Sequence, residues 1–265
     1  MYTPLKHLGY KSVVVNLSDI YAMFAQPTQI TYSLAISNRF SVEALEELYA
    51  GVQLACARYG VDLVGGDTSS SRQGLMISVT AIGEVEENTF VTRGGAKVND
   101  LICVTGDLGA AYLGLLLLER EKKIFLEHPG VQPDFENHAY VIERFLKPEA
   151  RKEMTGWLKE QGITPTAMMD ISDGLSSDLL HICEQSGTGC QLYEEKLPIH
   201  EETREVARQF DLAATTCALN GGEDYELIFT LSPVDFEKVK DCELFSIIGH
   251  ITPAEEEAVL ITNGN

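Results

Sequence analysis

Four short segments each set a carboxylate beside glycine, serine or another carboxylate: Asn16-Leu17-Ser18-Asp19, Gly65-Gly66-Asp67-Thr68-Ser69, Asp170-Ile171-Ser172-Asp173-Gly174-Leu175 and Gly221-Gly222-Glu223-Asp224-Tyr225-Glu226-Leu227. Paired glycines let a backbone come close to a phosphate, and a neighbouring carboxylate can hold the metal that travels with it. Each segment by itself also fits a purely structural role. Asp67 can bond its own backbone in a turn, and Ser172 or Asp173 can cap the helix that follows. Asp19 can end a helix or sit satisfied in a core, and Gly221-Gly222 can form a polar turn. Capping does not explain Asp170. The helix start near Asp173 would offer unpaired N–H groups and a partial positive charge to an anion. With Asp170 and Asp173 holding the cation, that arrangement suits metal-bound phosphate.

If Asp19, Asp67, Asp170 and Asp173 converge, their repulsion matters: two carboxylates about 6 Å apart repel by about 3 kcal/mol at an effective dielectric near 20. A cation is then required. An all-oxygen ligand set without histidine or thiolate selects a hard ion, magnesium before calcium when phosphate is its companion. Phosphoryl transfer runs on positioning and charge neutralisation, and the sequence offers no convincing nucleophile. Arg93, in Thr92-Arg93-Gly94-Gly95-Ala96-Lys97, is either a surface residue or a clamp for phosphate or nucleotide.

The elements that must hold these residues are mixed helix and strand. Ser41 precedes apolar residues at helical spacing, Val42, Leu45, Leu48, Val52 and Ala55, and Gly60 supplies a stop. Val61 to Val64 and Leu75 to Val85 read as strands on either side of Gly65-Gly66-Asp67. Leu101 to Thr105 reads as a strand and Leu108 to Glu119 as a helix, an α/β order. Helices are expected at 138–146 and 149–161. Met168 to Ile171 reads as extended, and Leu175 to Gln185 as a helix stopping at Gly187. Beyond Pro198 follow a helix around 200–210, a strand from Tyr225 to Leu231, a helix from Pro233 to Lys240, and strands near 244–251 and 258–262. Lys11 to Ile20 is ambiguous: Val13-Val14-Val15 favours a strand, whereas Leu5, Leu8, Val15 and Ile20 fit a loose helical stripe.

Composition narrows the function classes. The 265 residues suffice for one large domain or two ordinary ones, and two are favoured. Forty acidic against twenty basic side chains, a formal charge of −20, would repel nucleic-acid phosphates and anionic lipid. The longest apolar run, Leu113 to Leu118, is too short to span a membrane, and Met1-Tyr2-Thr3-Pro4-Leu5 lacks a secretion signal. A cytoplasmic protein is expected. The six cysteines are scattered without a C-x-x-C pair, and the six histidines lack zinc-ligand spacing.

In order, Asn16-Leu17-Ser18-Asp19-Ile20, Gly65-Gly66-Asp67-Thr68, Arg93-Gly94-Gly95-Ala96-Lys97, Asp170-Ile171-Ser172-Asp173-Gly174-Leu175 and Gly221-Gly222-Glu223-Asp224-Tyr225-Glu226-Leu227 closely resemble the thiamine-monophosphate kinase family, over residues 1 to about 251. The resemblance implies an α/β (α+β) two-domain fold shared with aminoimidazole ribonucleotide synthetase, selenophosphate synthetase and a hydrogenase maturation protein. Residues 1–92 would form an N-terminal ATP- and metal-binding dimerisation domain, and 93–265 a C-terminal α/β domain. It implies a homodimer whose N-terminal domains share a β-barrel, with ATP between domains, and a helix within residues 1–20. Carried over by motif, Asp19, Asp67, Asp170 and Asp173 look like Mg2+ ligands, Gly66, Asp67, Arg93 and Ser172 like ATP contacts, and Glu223 like a contact to thiamine monophosphate. The implied reaction makes thiamine diphosphate by direct attack of a substrate phosphate oxygen on the γ-phosphoryl group of ATP. A related ATP-dependent synthetase, or an inactive dimerisation module that binds divalent cations, are the alternatives.

Two departures go with the resemblance. Family members begin upstream with a Gly-rich segment and an Asp-Asp pair, which nothing here matches. They also carry a C-terminal aromatic beyond the point where this sequence reaches Asn263-Gly264-Asn265. The expectation is a part of a longer chain, with weak or no turnover from residues 1–265 alone.

Overall fold

The computed structural model describes residues 3–262. The terminal residues named above, Met1-Tyr2 and Asn263-Gly264-Asn265, lie outside the described residues.

The first sheet is organised around one long strand. Helix α1 (Leu5–Ala22) leads into β1 (Gln26–Ile36), followed by α2 (Val42–Tyr59), β2 (Asp62–Gly65), β3 (Thr68–Ser70) and β4 (Leu75–Glu84). Strand β4 runs antiparallel to β1 along its whole length, from Gln26↔Glu84 to Ile36↔Leu75. The other edge of β1 is shared: β2 pairs in parallel at Gln29 to Thr31, and β3 in parallel at Leu34 to Ile36. Gly66 and Asp67 fill the break between them. A side chain at 66 is impossible, because a Cβ there would lie 1.9 Å from the Tyr32 carbonyl oxygen. The Leu34 N–H donates to the Asp67 carbonyl at 2.8 Å, which pins the Asp67 backbone to β1.

Helices α1 and α2 cover one face of this sheet, with Tyr10, Val13, Val14, Leu17 and Tyr21 packed with Leu48, Val52 and Ala55 onto Ile30, Tyr32 and Leu34. The strand reading of Val13-Val14-Val15 is overturned: these residues lie inside α1. The buried positions, Tyr10, Val13, Val14, Leu17 and Tyr21, follow the three-and-four spacing of a helix face, and burial of that face outweighs the weak β preference of valine. Helix α2 forms where local signals placed it. Ser41 Oγ accepts the Ala44 N–H at 3.3 Å, and Gly60 ends the helix in the left-handed region at φ 70°.

The second sheet is six-stranded, in the order β10-β7-β9-β5-β8-β6, from β5 (Leu101–Thr105), β6 (Ala167–Asp170), β7 (Gly189–Tyr193), β8 (Leu227–Leu231), β9 (Phe245–Thr252) and β10 (Ala258–Ile261). Its helices are α3 (Ala110–Glu127), α4 (Ala139–Leu146), α5 (Lys152–Glu160), α6 (Leu175–Ser186), α7 (Glu201–Gln209), α8 (Ala214–Asn220) and α9 (Phe236–Val239). One face buries Ile102, Val104, Ile228 and Ile248 with Leu175, Leu179 and Ile182 of α6. The opposite face buries Cys103, Phe229, Leu231 and Phe245 with Met154 and Leu158 of α5. Ala22 and Phe24, at the end of α1, belong to that second cluster. The C-terminal end of α1 is thereby locked against the second sheet, beside β6.

The mixed α/β class follows the sequence reading. Strands β1, β3 and β7 and helix α8 were not foreseen, and the expected strand at Tyr225 begins two residues later, at Leu227. Among the described residues the first sheet is open and forms no closed barrel. The five cysteines other than Cys242 are buried, and all six are free thiols. Among the described residues, no helix is long and apolar enough to cross a membrane.

Candidate active site

Asp19 and Asp170 come together where the two sheets meet. Asp19 lies near the C-terminal end of α1, Asp170 is the last residue of β6, and both line a cavity of about 230 Å3 with Met23, Thr92 and Arg93. Asp170 is almost fully buried. Its burial first, and the neighbouring Asp19 charge second, push its carboxyl up to about 6. Burial also lifts Asp19 above the ordinary carboxylate value, and the Arg93 charge opposes that shift. The buried Ser18 hydroxyl stands beside Asp170 and works to lower its carboxyl pKa, without reaching full hydrogen-bond geometry to any group. A desolvated carboxylate pair lining a cavity is an arrangement that a cation completes.

The Gly221-Gly222-Glu223-Asp224-Tyr225-Glu226 segment docks onto the backbone that follows β6. The Glu223 N–H donates to the Ser172 carbonyl at 2.8 Å, the Tyr225 N–H to Ile171 at 2.9 Å, and the Ile171 N–H to Glu226 at 2.7 Å. Glu223 and Tyr225 both sit in the left-handed region, at φ 62° and 51°, a conformation costly for residues with a Cβ and concentrated at functional sites. Gly222 has φ 67°, and a Cβ on it would fall 2.6 Å from the Ser172 carbonyl oxygen. The Tyr225 hydroxyl donates to Glu223 Oε1 at 3.2 Å, while Lys11 Nζ on α1 reaches Glu223 Oε2 at 2.6 Å. Burial raises the Tyr225 phenol's pKa, helped by the charges of Glu223, Asp170 and Asp19. Tyr225 is therefore bonded to Glu223 and within electrostatic reach of the Asp19–Asp170 pair.

The other two acids of that segment have structural partners. Asp224 is fully buried and accepts the Gly109 N–H at 2.9 Å and the Ala111 N–H at 3.4 Å, capping α3 from a distance in sequence. Burial pushes its carboxyl up to about 7, opposed by the Arg144 charge and the Gly109 N–H. Glu226, also buried, takes the Thr105 hydroxyl at 2.5 Å, Arg144 Nη2 at 2.7 Å, and the guanidinium of Arg151.

The remaining sequence-derived candidates do not line the cavity that holds the pair. Asp67 is exposed on the β2–β3 edge of the first sheet, Gly66 beside it. Asp173 is exposed and Ser172 half-buried at the start of α6, whose N-cap is Gly174, not the expected Ser172 or Asp173. The N–H groups expected to be free there are partly taken: the Asp173 N–H donates to Asp178 Oδ2 at 3.2 Å. Asp178 is fully buried, and its carboxyl rises to about 6, chiefly through burial. Among the described residues, no group of three or more histidine, cysteine, aspartate or glutamate side chains is arranged to hold a metal ion. The Asp19–Asp170 pair is the part of the expected set that the fold assembles. Two carboxylates, without histidine or thiolate, suit magnesium, which keeps several waters and binds through one or two carboxylates plus substrate phosphates.

Residues 1–85 match the family described as AIR synthase related protein, N-terminal domain, and residues 97–262 its C-terminal domain. The thiamine-monophosphate kinase of Bacillus subtilis (strain 168) is 33% identical over 265 residues, covering 98% of this chain and 78% of that protein. That of Aquifex aeolicus (strain VF5) is 36% identical over 223 residues, 84% of this chain and 68% of that protein. The chain belongs to the thiamine-monophosphate kinase family. A solved thiamine monophosphate kinase from Aquifex aeolicus superposes with a TM-score of 0.82 at 32% identity, covering 98% of this chain and 81% of that one. The structure described as AaThiL complexed with AMPPCP and TMP superposes equally well, at TM-score 0.82 and 31% identity, over 98% of this chain and 78% of that one.

Within the thiamine-monophosphate kinase family fold, Lys11, Ser18, Tyr225 and Asp178 stand beside the candidate residues, and sequence reasoning gave none of them a role. Lys11 carried no local signal, since a lysine on a helix is ordinary, and Tyr225 was part of the Gly221-to-Leu227 motif without a role of its own. Asp178 follows Asp173 by five residues in the sequence, and a buried acid just inside a helix start was the available clue.

Proposed function

We propose that this protein transfers the γ-phosphoryl group of ATP to thiamine monophosphate, producing thiamine diphosphate and ADP. A phosphate oxygen of thiamine monophosphate attacks the γ-phosphorus, the bond from that phosphorus to the β,γ-bridging oxygen breaks, and ADP leaves with the electron pair. No covalent intermediate with the protein is needed, because such transfers depend on alignment and charge neutralisation. The observation that carries the reading is that the Asp19–Asp170 pair shares one cavity with Arg93, while the segment bearing Glu223 is hydrogen-bonded to Ile171 and Ser172, the residues that directly follow Asp170. The pair would serve a metal-bound nucleotide, and Glu223 a cationic acceptor.

Asp19 and Asp170 would hold Mg2+, Asp67 and Asp173 would add ligands once the nucleotide is bound, and the ion would neutralise charge on the nucleotide phosphates. Arg93, at the rim of the cavity, would meet ATP together with Gly66, Asp67 and Ser172. Glu223 would meet the thiazolium cation of thiamine monophosphate. Residues 1–92 would act as the ATP- and metal-binding dimerisation domain, and 93–265 as the C-terminal domain.

The protein would work as a cytoplasmic homodimer. Val64, Met76 and Ile82 are exposed on the first sheet, and an apolar sheet face of this kind is normally covered by a partner. Pairing two such open sheets would close a barrel.

The test is an assay of the intact protein with ATP and magnesium, offering thiamine monophosphate or unphosphorylated thiamine. Thiamine diphosphate from the monophosphate alone is expected. A folded protein that binds ATP but forms no thiamine diphosphate would end this reading.

A further inference from the structure

Lys11 is held in place independently of any substrate. Its Nζ donates to the Phe145 carbonyl at 2.8 Å, reaches Glu223 Oε2 at 2.6 Å, and lies 4.0 Å from the centre of the Phe145 ring. Phe145 is in the last turn of α4, where the helix dipole presents negative potential to an ammonium group. The side chain is 15% exposed, against 42% for Glu223. The lysine is thus the fixed member of the pair, and the glutamate the one that faces outward.

We infer that Lys11 is a positioning residue for Glu223: anchored by α4, it sets the direction of the Glu223 carboxylate before thiamine monophosphate arrives. Both carboxylate oxygens have assigned donors, Lys11 Nζ for Oε2 and Tyr225 Oη for Oε1. The backbone at Glu223 is itself held in the left-handed region, with its N–H bonded to the Ser172 carbonyl. Lys11 and Asp19 are also eight residues apart on α1, which places them about 12 Å apart along its axis at 1.5 Å per residue. One rigid helix therefore spaces the acceptor-orienting group from the carboxylate pair. A preset carboxylate spares the cation the cost of ordering it, and that saving appears in substrate affinity.

The inference rests on the reading that Glu223 contacts thiamine monophosphate, and a double-mutant cycle separates the two. Steady-state rates of the intact protein would be measured for Lys11→Met, Glu223→Gln and the double variant, with circular dichroism and thermal melting of each. Lys11→Met is expected to raise KM for thiamine monophosphate about tenfold, the loss of one charge-assisted hydrogen bond. Its effect on kcat and on KM for ATP should be much smaller. In the Glu223→Gln background the same change should add less than about twofold, because residues acting as a unit are not additive. Lys11→Arg keeps the charge and should recover part of the loss, which covers the case in which Lys11→Met folds poorly. Multiplying effects, or a Lys11→Met loss carried by kcat alone, would overturn the role of Lys11. An unchanged KM for thiamine monophosphate in Glu223→Gln would instead overturn the reading of Glu223, and the positioning role with it.

Discussion

Arg144 lies 2.7 Å from Glu226 in a site where the glutamate is fully buried, three residues beyond the half-exposed Glu223. The same short segment therefore carries one acid that holds the fold and one that faces a ligand, and truncation should separate them. Glu226→Ala leaves Arg144 and Arg151 without their shared partner and should destabilise the protein by about 3–5 kcal/mol, the cost of breaking a buried pair from one side. Glu223→Ala should change stability by less than about 1 kcal/mol. Urea midpoints of the two variants check this, and equal losses would contradict it.

Asp224 should make stability depend on pH. Its carboxyl is raised to about 7 in the folded protein, chiefly by burial, whereas an unfolded aspartate titrates near its ordinary value of about 3.9. Between those values the folded state holds a proton that the unfolded state has released, so the Asp224 contribution falls as pH rises through the window and levels off above about 7. Asp224→Asn removes this titration. The stability of the unaltered protein relative to the variant should be greater at pH 5 than at pH 7.5, as measured by urea unfolding at both values. A pH-independent difference would contradict the assigned burial.

Gly222→Ala should reach the site through the backbone. The new Cβ would stand 2.6 Å from the Ser172 carbonyl oxygen at a φ of 67°, so the segment carrying Glu223 must lift from the one carrying Ser172. A loss of about 1–3 kcal/mol is expected from the forced shift, with a rise in KM for thiamine monophosphate out of proportion to the change in melting temperature. An alanine variant with unaltered kinetics would show that the docking of these segments does not position Glu223.

Asp67→Asn probes the residue that the fold leaves on the edge of the first sheet. Its side chain is exposed and its carbonyl is held by Leu34, so the fold should survive the substitution. Turnover should fall by at least about tenfold, with a higher magnesium requirement, if Asp67 joins the nucleotide-bound metal. An unchanged rate and magnesium dependence would remove Asp67 from the site.

What could be read from the sequence was local. Helix α2 announced itself through Ser41, its apolar spacing and Gly60. Helix α1 did not, because three successive valines carry a β preference and only packing against Ile30, Tyr32 and Leu34 shows which face is buried. Strand β1 escaped notice although it is the centre of its sheet, since its identity comes from long-range pairing with β4. The same division holds in the site. Asp19 and Asp170 were marked by their motifs, and the fold brings them together. Asp224 and Glu226 shared a motif with Glu223 and were given no role, and only their contacts with Gly109 and with Arg144 and Arg151 reveal structural duties. Lys11 joins the site by a pairing that no local pattern encodes.

The most direct test of the site as the place of catalysis is the rate of thiamine diphosphate formation by Asp170→Asn, which keeps the shape of a buried side chain and removes its charge beside Asp19. The rate with saturating ATP and thiamine monophosphate should fall at least about a hundredfold, with the melting temperature equal to or above that of the unaltered protein, because a desolvated and repelled carboxylate is gone. A rate within twofold of the unaltered protein would contradict the account.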